Sequence, residues 1–463
     1  MARVHPYVPN SAPGVRREML DAIGVASDED LYEAVPARLR LAGPLDLPAG
    51  IDSEAELVRH VRGLLRRGAS TEDFVSFLGA GAFRHHVPSV CDEVNGRAEF
   101  LTAYAGETYE EHGRHQALFE YCSLMAELLE MDVVTVPTYD GFQAASTAVS
   151  MTGRLTGRRE VLVVGAVDPD KLERMATYSA ATVDLRPVGS RQDGTVDVDA
   201  VLAEITGRTA AVYLETPDFL GRVNAHVGAI ARAAHAQGAL LVVSADPISL
   251  GVLQPPAAAG ADIVCGDIQS LGIHLQFGGG HGGYLAVHDD VDLVMELPSR
   301  LIGLAPTVVD GELGFIDLAY ERTSLAARDE GVEWVGTAAA LWGLTAGVFL
   351  ALHGPDGMAE LGGTVLARTR YAIERLRGVP GLTVLAPDEV HFRELVVRLD
   401  SGDVGGVLAR LADQGILGGV DLTRRVPDLG ESFLVCVTEL TSREEIDLLA
   451  AALTQVLAEG AAA

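Results

Sequence analysis

The chain has 463 residues, 65 acidic against 35 basic, giving a formal charge of −30; 48% are apolar and the mean hydropathy is +0.22. That length and apolar content call for two or more packed units, and the charge repels nucleic-acid phosphates and anionic lipid, which sets both aside as partners. Cys91, Cys122, Cys265 and Cys436 form no CxxC pair, so buried thiols in a reducing cytoplasm are expected rather than a disulfide framework or a zinc site.

The opening MARVHPYVPNSAPG carries no apolar h-region, which argues against export. From Arg16 to Arg67 apolar groups (Met19, Leu20 and Ile23, then Leu57, Val58 and Val61) recur at helical spacing, broken by the turn Pro44 to Pro48; residues 1–70 are expected to form a helical N-terminal arm. Over 71–297 short β-branched runs alternate with helical stretches: Val161 to Val164, Ala210 to Leu214, Leu240 to Ser244 and Ile263 to Cys265, each followed by turn residues. This alternation predicts an α/β large domain, with a mostly parallel sheet covered by helices on both faces. Ligands of such sheets sit beyond the carboxyl ends of the strands, which singles out Asp168, Pro217, Asp218, Asp246 and the stretch Gly266 to Gly283.

Residues 298–337 show little periodicity and read as a linker or interface segment. A smaller α+β domain is expected over 338–463, with helices at Ala338 to Leu352, Met358 to Arg377, Val404 to Gln414 and Arg443 to Leu457. Strands are expected at Leu382 to Leu385, Glu394 to Leu399 and Phe433 to Val437. The stretch Ala338 to Leu352 is the longest apolar run and falls short of the roughly 20 residues that span a bilayer, so no membrane span is expected.

Few residues carry obvious chemistry. Lys171 is the only lysine, and its place in the first turn of a helix after Val161 to Val164 predicts a solvated side chain. Glu111, His112 and His115 in EEHGRH approach metal-ligand spacing, but Gly113 lies between the histidines and no third partner is near; a polar loop is the expectation, and no metal site. His85 and His86 read as loop or packing histidines. The stretch FGGGHGG, Phe277 to Gly283, fits neither phosphate-binding fingerprint and reads as a turn between strands. His274, His281 and His288 recur every seven residues, but the glycines between them forbid one helix. No GxSxG elbow is present, so a hydrolase has no support.

One spacing goes further. Asp246, in SADPISLG, and Ser270, in ADIVCGDIQSLG, follow consecutive expected strands. In fold-type I enzymes dependent on pyridoxal phosphate (PLP), an aspartate at the first place faces the pyridinium nitrogen and a lysine at the second forms the aldimine. Gln269 and Ser270 stand where that His-Lys pair would be, and serine cannot form an imine. An Asp-Pro turn is the plainer reading of Asp246 taken alone.

The stretches PYVPN, FLGAGAFRHHVPSV, EFLTAYAGETYEEHGRHQALFEY, TYDG, PDFLG, ADPISLGVLQPP and GADIVCGDIQSLG together resemble the P-protein of the glycine cleavage system, and within it the alpha subunit found where that protein is split in two. The resemblance implies a fold-type I PLP transferase-like fold and a lysine-less chain that pairs with a homologous beta subunit carrying PLP. It implies decarboxylation of glycine, a small amino-acid substrate, with aminomethyl transfer to a lipoyl carrier protein. It places Tyr104, Glu111, His112, Tyr139, Asp140, Asp246, Gln269, Ser270, Gly279 and Gly280 at the wall of a cofactor or substrate site, with no catalytic lysine among them. The chain departs from such alpha subunits at Glu215 to Asp218, where they read QNPN, and at Ala327 to Ala338, where ARDEGVEWVGTA replaces a basic, Asn-containing run. Such changes leave open a subunit of a specialised-metabolism enzyme acting on another amino acid. Also open are a noncovalent pyridoxamine phosphate enzyme using His274, and a noncatalytic stabilising subunit.

Overall fold

Val161 to Val164 and Ala210 to Leu214 carry no charged side chain because both faces of the strands they form are covered. The computed structural model describes residues 4, 7–43, 45–101, 112–298, 301–317, 321, 324–330, 335 and 339–462. Pro44, Tyr104, Glu111 and most of 327–338 lie outside the described residues, and of His112 only the backbone is described. Two units separate, Met1–Ala69 and Ser70–Ala463.

The first unit carries the helices Pro13–Ile23 and Glu54–Leu65, neither with a buried residue. Pro at the first turn and Gly24 in the left-handed region at φ 84° delimit the earlier one, and Ser53 caps the later one by accepting from the Glu56 N–H.

The second unit is organised by a seven-stranded sheet: β1 Val133–Val134, β2 Glu160–Val164, β3 Asp184–Val188, β4 Thr209–Thr216, β5 Leu240–Ala245, β6 Ile263–Asp267 and β7 Gly283–Val287. Their order across the sheet is β1-β7-β6-β5-β4-β2-β3. All run parallel except β7, which is antiparallel to both of its neighbours. The two-residue period of the strands divides the core. Val161, Val163, Tyr213, Val242 and Leu285 pack on one face with Ala144, Ala148 and Met151 of the helix Gly141–Thr156. Leu162, Val164, Val212, Leu214, Leu241 and Val243 pack on the other with Ile230 and Ala234 of Val227–Ala236 and with Tyr121 and Met125 of His112–Leu129. Each buried aliphatic side chain of this set contributes about 1.5–3 kcal/mol of transfer free energy. The expected polar loop around His112 and His115 is thus corrected: both belong to the first turn of the helix His112–Leu129, whose apolar residues further along decide the local structure.

Residues read as a linker contain an antiparallel hairpin, Ile302–Pro306 with Leu313–Asp317. Its strands are too short and too exposed on one face to give a clear alternation. The two helices expected on either side of 352–358 are present within Ala340–Leu376, separated at Gly354 (φ 58°, ψ −173°) just before Pro355, where a proline ring and its missing N–H interrupt the ladder. Beyond it a four-stranded antiparallel sheet forms in the order Leu382–Val384, Glu394–Leu399, Ser432–Cys436, Val420–Asp421. Helices Val404–Asp413 and Arg443–Ala462 accompany it, and Leu395, Val397, Phe433, Leu411 and Leu453 lie in its core. The short strand Val75–Ser76 pairs in parallel with Ile416–Leu417, and the Cys436 N–H donates to the Phe77 carbonyl, so residues 78–83 leave this sheet and cross toward the carboxyl ends of β5 and β6. Among the described residues no helix is long and apolar enough to cross a membrane.

Gly221 joins the two sheets. It has φ 84°, its carbonyl accepts from the Phe392 N–H, and a Cβ there would run into the Glu394 backbone carbonyl. Gly221→Ala is expected to cost about 2–4 kcal/mol, read as a lower midpoint in urea unfolding; an unchanged midpoint would show that the turn relaxes freely.

Candidate functional site

Four parallel strands end at one place and leave polar residues there. Past the end of β2 comes Asp168, at the end of β4 Glu215 and then Asp218, after β5 Asp246, and from the end of β6 Asp267, Gln269 and Ser270. With Asp140, Lys171, His281, Phe83, Arg393 and Glu394 they line a cavity of about 350 Å³. Asp140 caps the helix Gly141–Thr156 by accepting from the Gln143 N–H at 2.7 Å. The Gly141 N–H donates to Asp267 Oδ2 at 2.8 Å, and a Cβ on Gly141 would lie 2.9 Å from the Asp267 Cβ. Only glycine lets that helix start so close to β6.

Charges in the cavity come in pairs. Lys171, expected to be solvated, is instead 7% exposed. Its Nζ donates to Glu215 Oε1 at 2.6 Å and to Ser244 Oγ at 3.2 Å, and the Tyr213 hydroxyl donates to the same Glu215 oxygen at 2.7 Å. The correction has a plain cause: Lys171 lies on the face of the helix Pro169–Ser179 that turns toward the sheet with Met175, and Glu215 holds its charge. Burial works to lower the ammonium pKa, but the charge and hydrogen bond of Glu215, together with Cys265 and Asp267, outweigh it and the net shift is upward. Asp168 accepts from Arg425 at 2.9 Å, Asp218 lies 3.5 Å from Arg222, and His281 Nδ1 lies 3.2 Å from Asp267 Oδ2. Arg174 is 4.0 Å from Asp140. The hydrogen bond to Asp267 raises the His281 pKa against burial.

Arg393 and Glu394 were not singled out by the sequence. Arg393 is 1% exposed, with φ 70°, and its guanidinium lies 4.3 Å from the Phe83 ring centroid. Its Nε is 3.1 Å from Asp246 Oδ2, an ion pair without hydrogen-bond geometry, and none of its three guanidinium nitrogens has a hydrogen-bond partner. Glu394 accepts from the Ala80 N–H at 2.6 Å; burial pushes its pKa up to about 8, and that of Asp218 up to about 6.

Of the residues expected at a site, Asp140, Asp246, Gln269 and Ser270 meet at this cavity. Gln269 is spent on structure: its Oε1 accepts from the Phe83 N–H at 3.0 Å, and its Nε2 donates to the Phe83 and Ile273 carbonyls at 3.1 Å each. Tyr139 is 53% exposed and borders a shallow groove with Gln143 and Arg174 instead. Within the glycine-rich turn it is Gly278 that reaches the lining, not Gly279 or Gly280. His274 pairs with Asp92 at 3.0 Å in an exposed position. Among the described residues no group of His, Cys, Asp and Glu could hold a metal ion. A sequence signal existed for Glu215, an acid in place of the expected amide; none existed for Arg393, which lies 123 positions beyond Ser270 in another sheet.

A family model, the glycine cleavage system P-protein, matches residues 5–453. The chain belongs to that family. It is 38% identical over 448 residues to a Geobacillus kaustophilus protein named probable glycine dehydrogenase (decarboxylating) subunit 1, covering 96% of this chain and 97% of that one. It is 35% identical over 463 residues to an Aeropyrum pernix protein of the same name, covering 98% and 99%. The crystal structure of a glycine decarboxylase (P-protein) in inhibitor-bound form superposes with a TM-score of 0.86 at 34% identity, covering 98% of this chain and all of that one. A NifS-like protein superposes at 0.62 with 13% identity over 83% of this chain, a likeness of fold alone. The fold is that of fold-type I PLP enzymes, as expected from the resemblance. The residues of this P-protein family member do not fit covalently held PLP: Ser270 stands at the end of the β6 segment, and the only lysine is buried against Glu215.

Two outcomes follow. Lys171→Ala leaves Glu215 buried without its cation and is expected to cost about 3–5 kcal/mol, measured by urea unfolding; a loss under about 1 kcal/mol would show that the Lys171–Glu215 pair does not steady the fold. Glu394 keeps its proton up to about 8 in the fold but ionises near 4.5 when unfolded. Folding therefore binds a proton between those values, and stability falls as pH rises through them, with Asp218 acting in the same sense. Glu394→Gln should flatten that fall, measured as the unfolding midpoint between about pH 5 and pH 8.

Proposed function

We propose that this chain is the lysine-less, alpha-type subunit of a heteromeric, PLP-dependent glycine dehydrogenase (decarboxylating) that acts in the cytoplasm. PLP is carried by a homologous beta-type subunit with its own lysine, and supplies there the electron sink for loss of carbon dioxide from glycine. The aminomethyl group then passes to the lipoyl arm of a carrier protein. The observation that carries the reading is the pairing of Ser270 at the β6 end with a sole lysine locked to Glu215. A chain so built leaves imine chemistry to another polypeptide. The subunit numbering in the names of the relatives supports a divided enzyme, and one name running along whole-length relatives supports glycine over the amino acid of a specialised pathway.

In this division of labour, Tyr104, Glu111, His112 and Tyr139 are proposed for the wall that faces the partner's cofactor, with Asp140, Asp246, Gln269, Ser270, Gly279 and Gly280 as its support. Their work is to orient and to exclude water rather than to attack substrate.

Purified alone and mixed with pyridoxal phosphate, the chain should show no borohydride-reducible aldimine absorbance, whereas the complex with the beta-type subunit should show one and release carbon dioxide from glycine. A reducible aldimine on the lone chain, mapped to Lys171, overturns the reading.

A further inference from the structure

Gly79 to Ala82 form a strap beside the cavity, and a single hydrogen bond fastens its middle. Both ends are anchored. Before the strap, the Phe77 N–H donates to the Leu417 carbonyl and the Phe77 carbonyl accepts from the Cys436 N–H. After it, Gln269 holds both backbone groups of Phe83. Between these anchors the Ala80 N–H donates to Glu394 Oε1 at 2.6 Å, and among the described residues this is the one hydrogen bond that 79–82 make. Ala80 stands at φ 63°, a left-handed conformation that disfavours any residue with a Cβ. The strap is therefore strained and held down at one point, and Ala80, Gly81 and Ala82 line the cavity.

Glu394 is 6% exposed, and the strap lies on its carboxyl group: a Cβ on Gly79 would come within 2.5 Å of Glu394 Oε1. On another side the Gly221 turn packs against the Glu394 backbone. The titratable and charged groups that face the carboxyl are Arg393 on its own strand, Asp246 after β5, Asp218 in the turn beyond β4, and the Cys436 thiol on the paired strand. Residues 79–82 bring no charge. Arg393 already has Asp246 as its counter-ion, at 3.1 Å. An ionised Glu394 would thus sit near two other carboxylates in a place closed to water, and burial pushes its pKa up to about 8.

We propose that the segment Gly79 to Ala82 is a proton-controlled cover: neutral Glu394 fastens it beside the cavity, and loss of that proton releases it. An ionised carboxylate needs water around it, and it gains water by displacing Gly79, the residue that lies on it. Release also lets Ala80 leave its left-handed conformation, so relief of strain works in the same direction. The anchors at Phe77 and Phe83 stay in place, which confines the motion to the strap. The cavity is covered on this side while Glu394 keeps its proton and opens to solvent there once the proton is lost. The inference goes beyond the division of labour proposed above and stands without it.

The test is amide hydrogen exchange on the full chain, read by mass spectrometry at about pH 6.5 and about pH 8.5 and corrected for the intrinsic base-catalysed rate. Opening at the Ala80 amide should rise about tenfold across that interval in the unmodified chain and stay level in Glu394→Gln, while the amides of β4 and β5 remain protected in both. Gly79→Ala, which props the strap off the carboxyl, should open the strap at both pH values with the same protection of the core. No rise in the unmodified chain overturns the proposal. So does an equal rise in Glu394→Gln, a rise of the same size in the core strands, or a strap that stays protected in Gly79→Ala.

Discussion

A parallel sheet covered on both faces can place polar groups only at its edges. β2, β4, β5 and β6 are apolar through their buried lengths and turn polar at their carboxyl ends, and because they run parallel those ends open on one side of the molecule. Reversal of β7 and the close start of the helix Gly141–Thr156 against Asp267 close the far wall. The location of the cavity is a consequence of topology and needs no special residue.

Once charges are gathered there they must be compensated, because a half-paired charge in a poorly hydrated place is costly. The protein meets this with cations from several elements: Lys171 from the helix after β2, Arg425 from the segment before the strand Ser432–Cys436, Arg222 from the turn beyond β4. The Glu215 position shows the coupling. An acid at the end of β4 and a lysine on the next helix are each awkward alone and stable together. A lysine bound in that way is held as the ammonium, its pKa shifted upward beside the carboxylate.

The four-stranded antiparallel sheet contributes more than cover. Phe83, Arg393 and Glu394 reach the cavity because Val75–Ser76 pairs with Ile416–Leu417 and because Gly221 lets the β4 turn approach the strand Glu394–Leu399 closely. Gln269 shows how a position that would carry histidine beside a catalytic lysine can serve another end, since all its hydrogen-bonding capacity goes to holding the Phe83 segment.

The sequence by itself determined the class of the fold, the strands whose ends carry the site, and the missing lysine, because each is local: β-branched runs bounded by turns, Asp246 after one strand, Ser270 after the next. It also carried the family, through motifs spread from the Pro6 region to Gly272. It could not determine that Lys171 is buried, that Gln269 is structural, or that Arg393 lies beside Asp246. Those facts depend on which segments, far apart in the chain, meet across the two sheets, and the partner of a buried charge is chosen by that meeting rather than by spacing. The hairpin at 302–317 escaped notice for a related reason: two short, half-exposed strands leave too few apolar residues for a period to register, and only their pairing makes them strands.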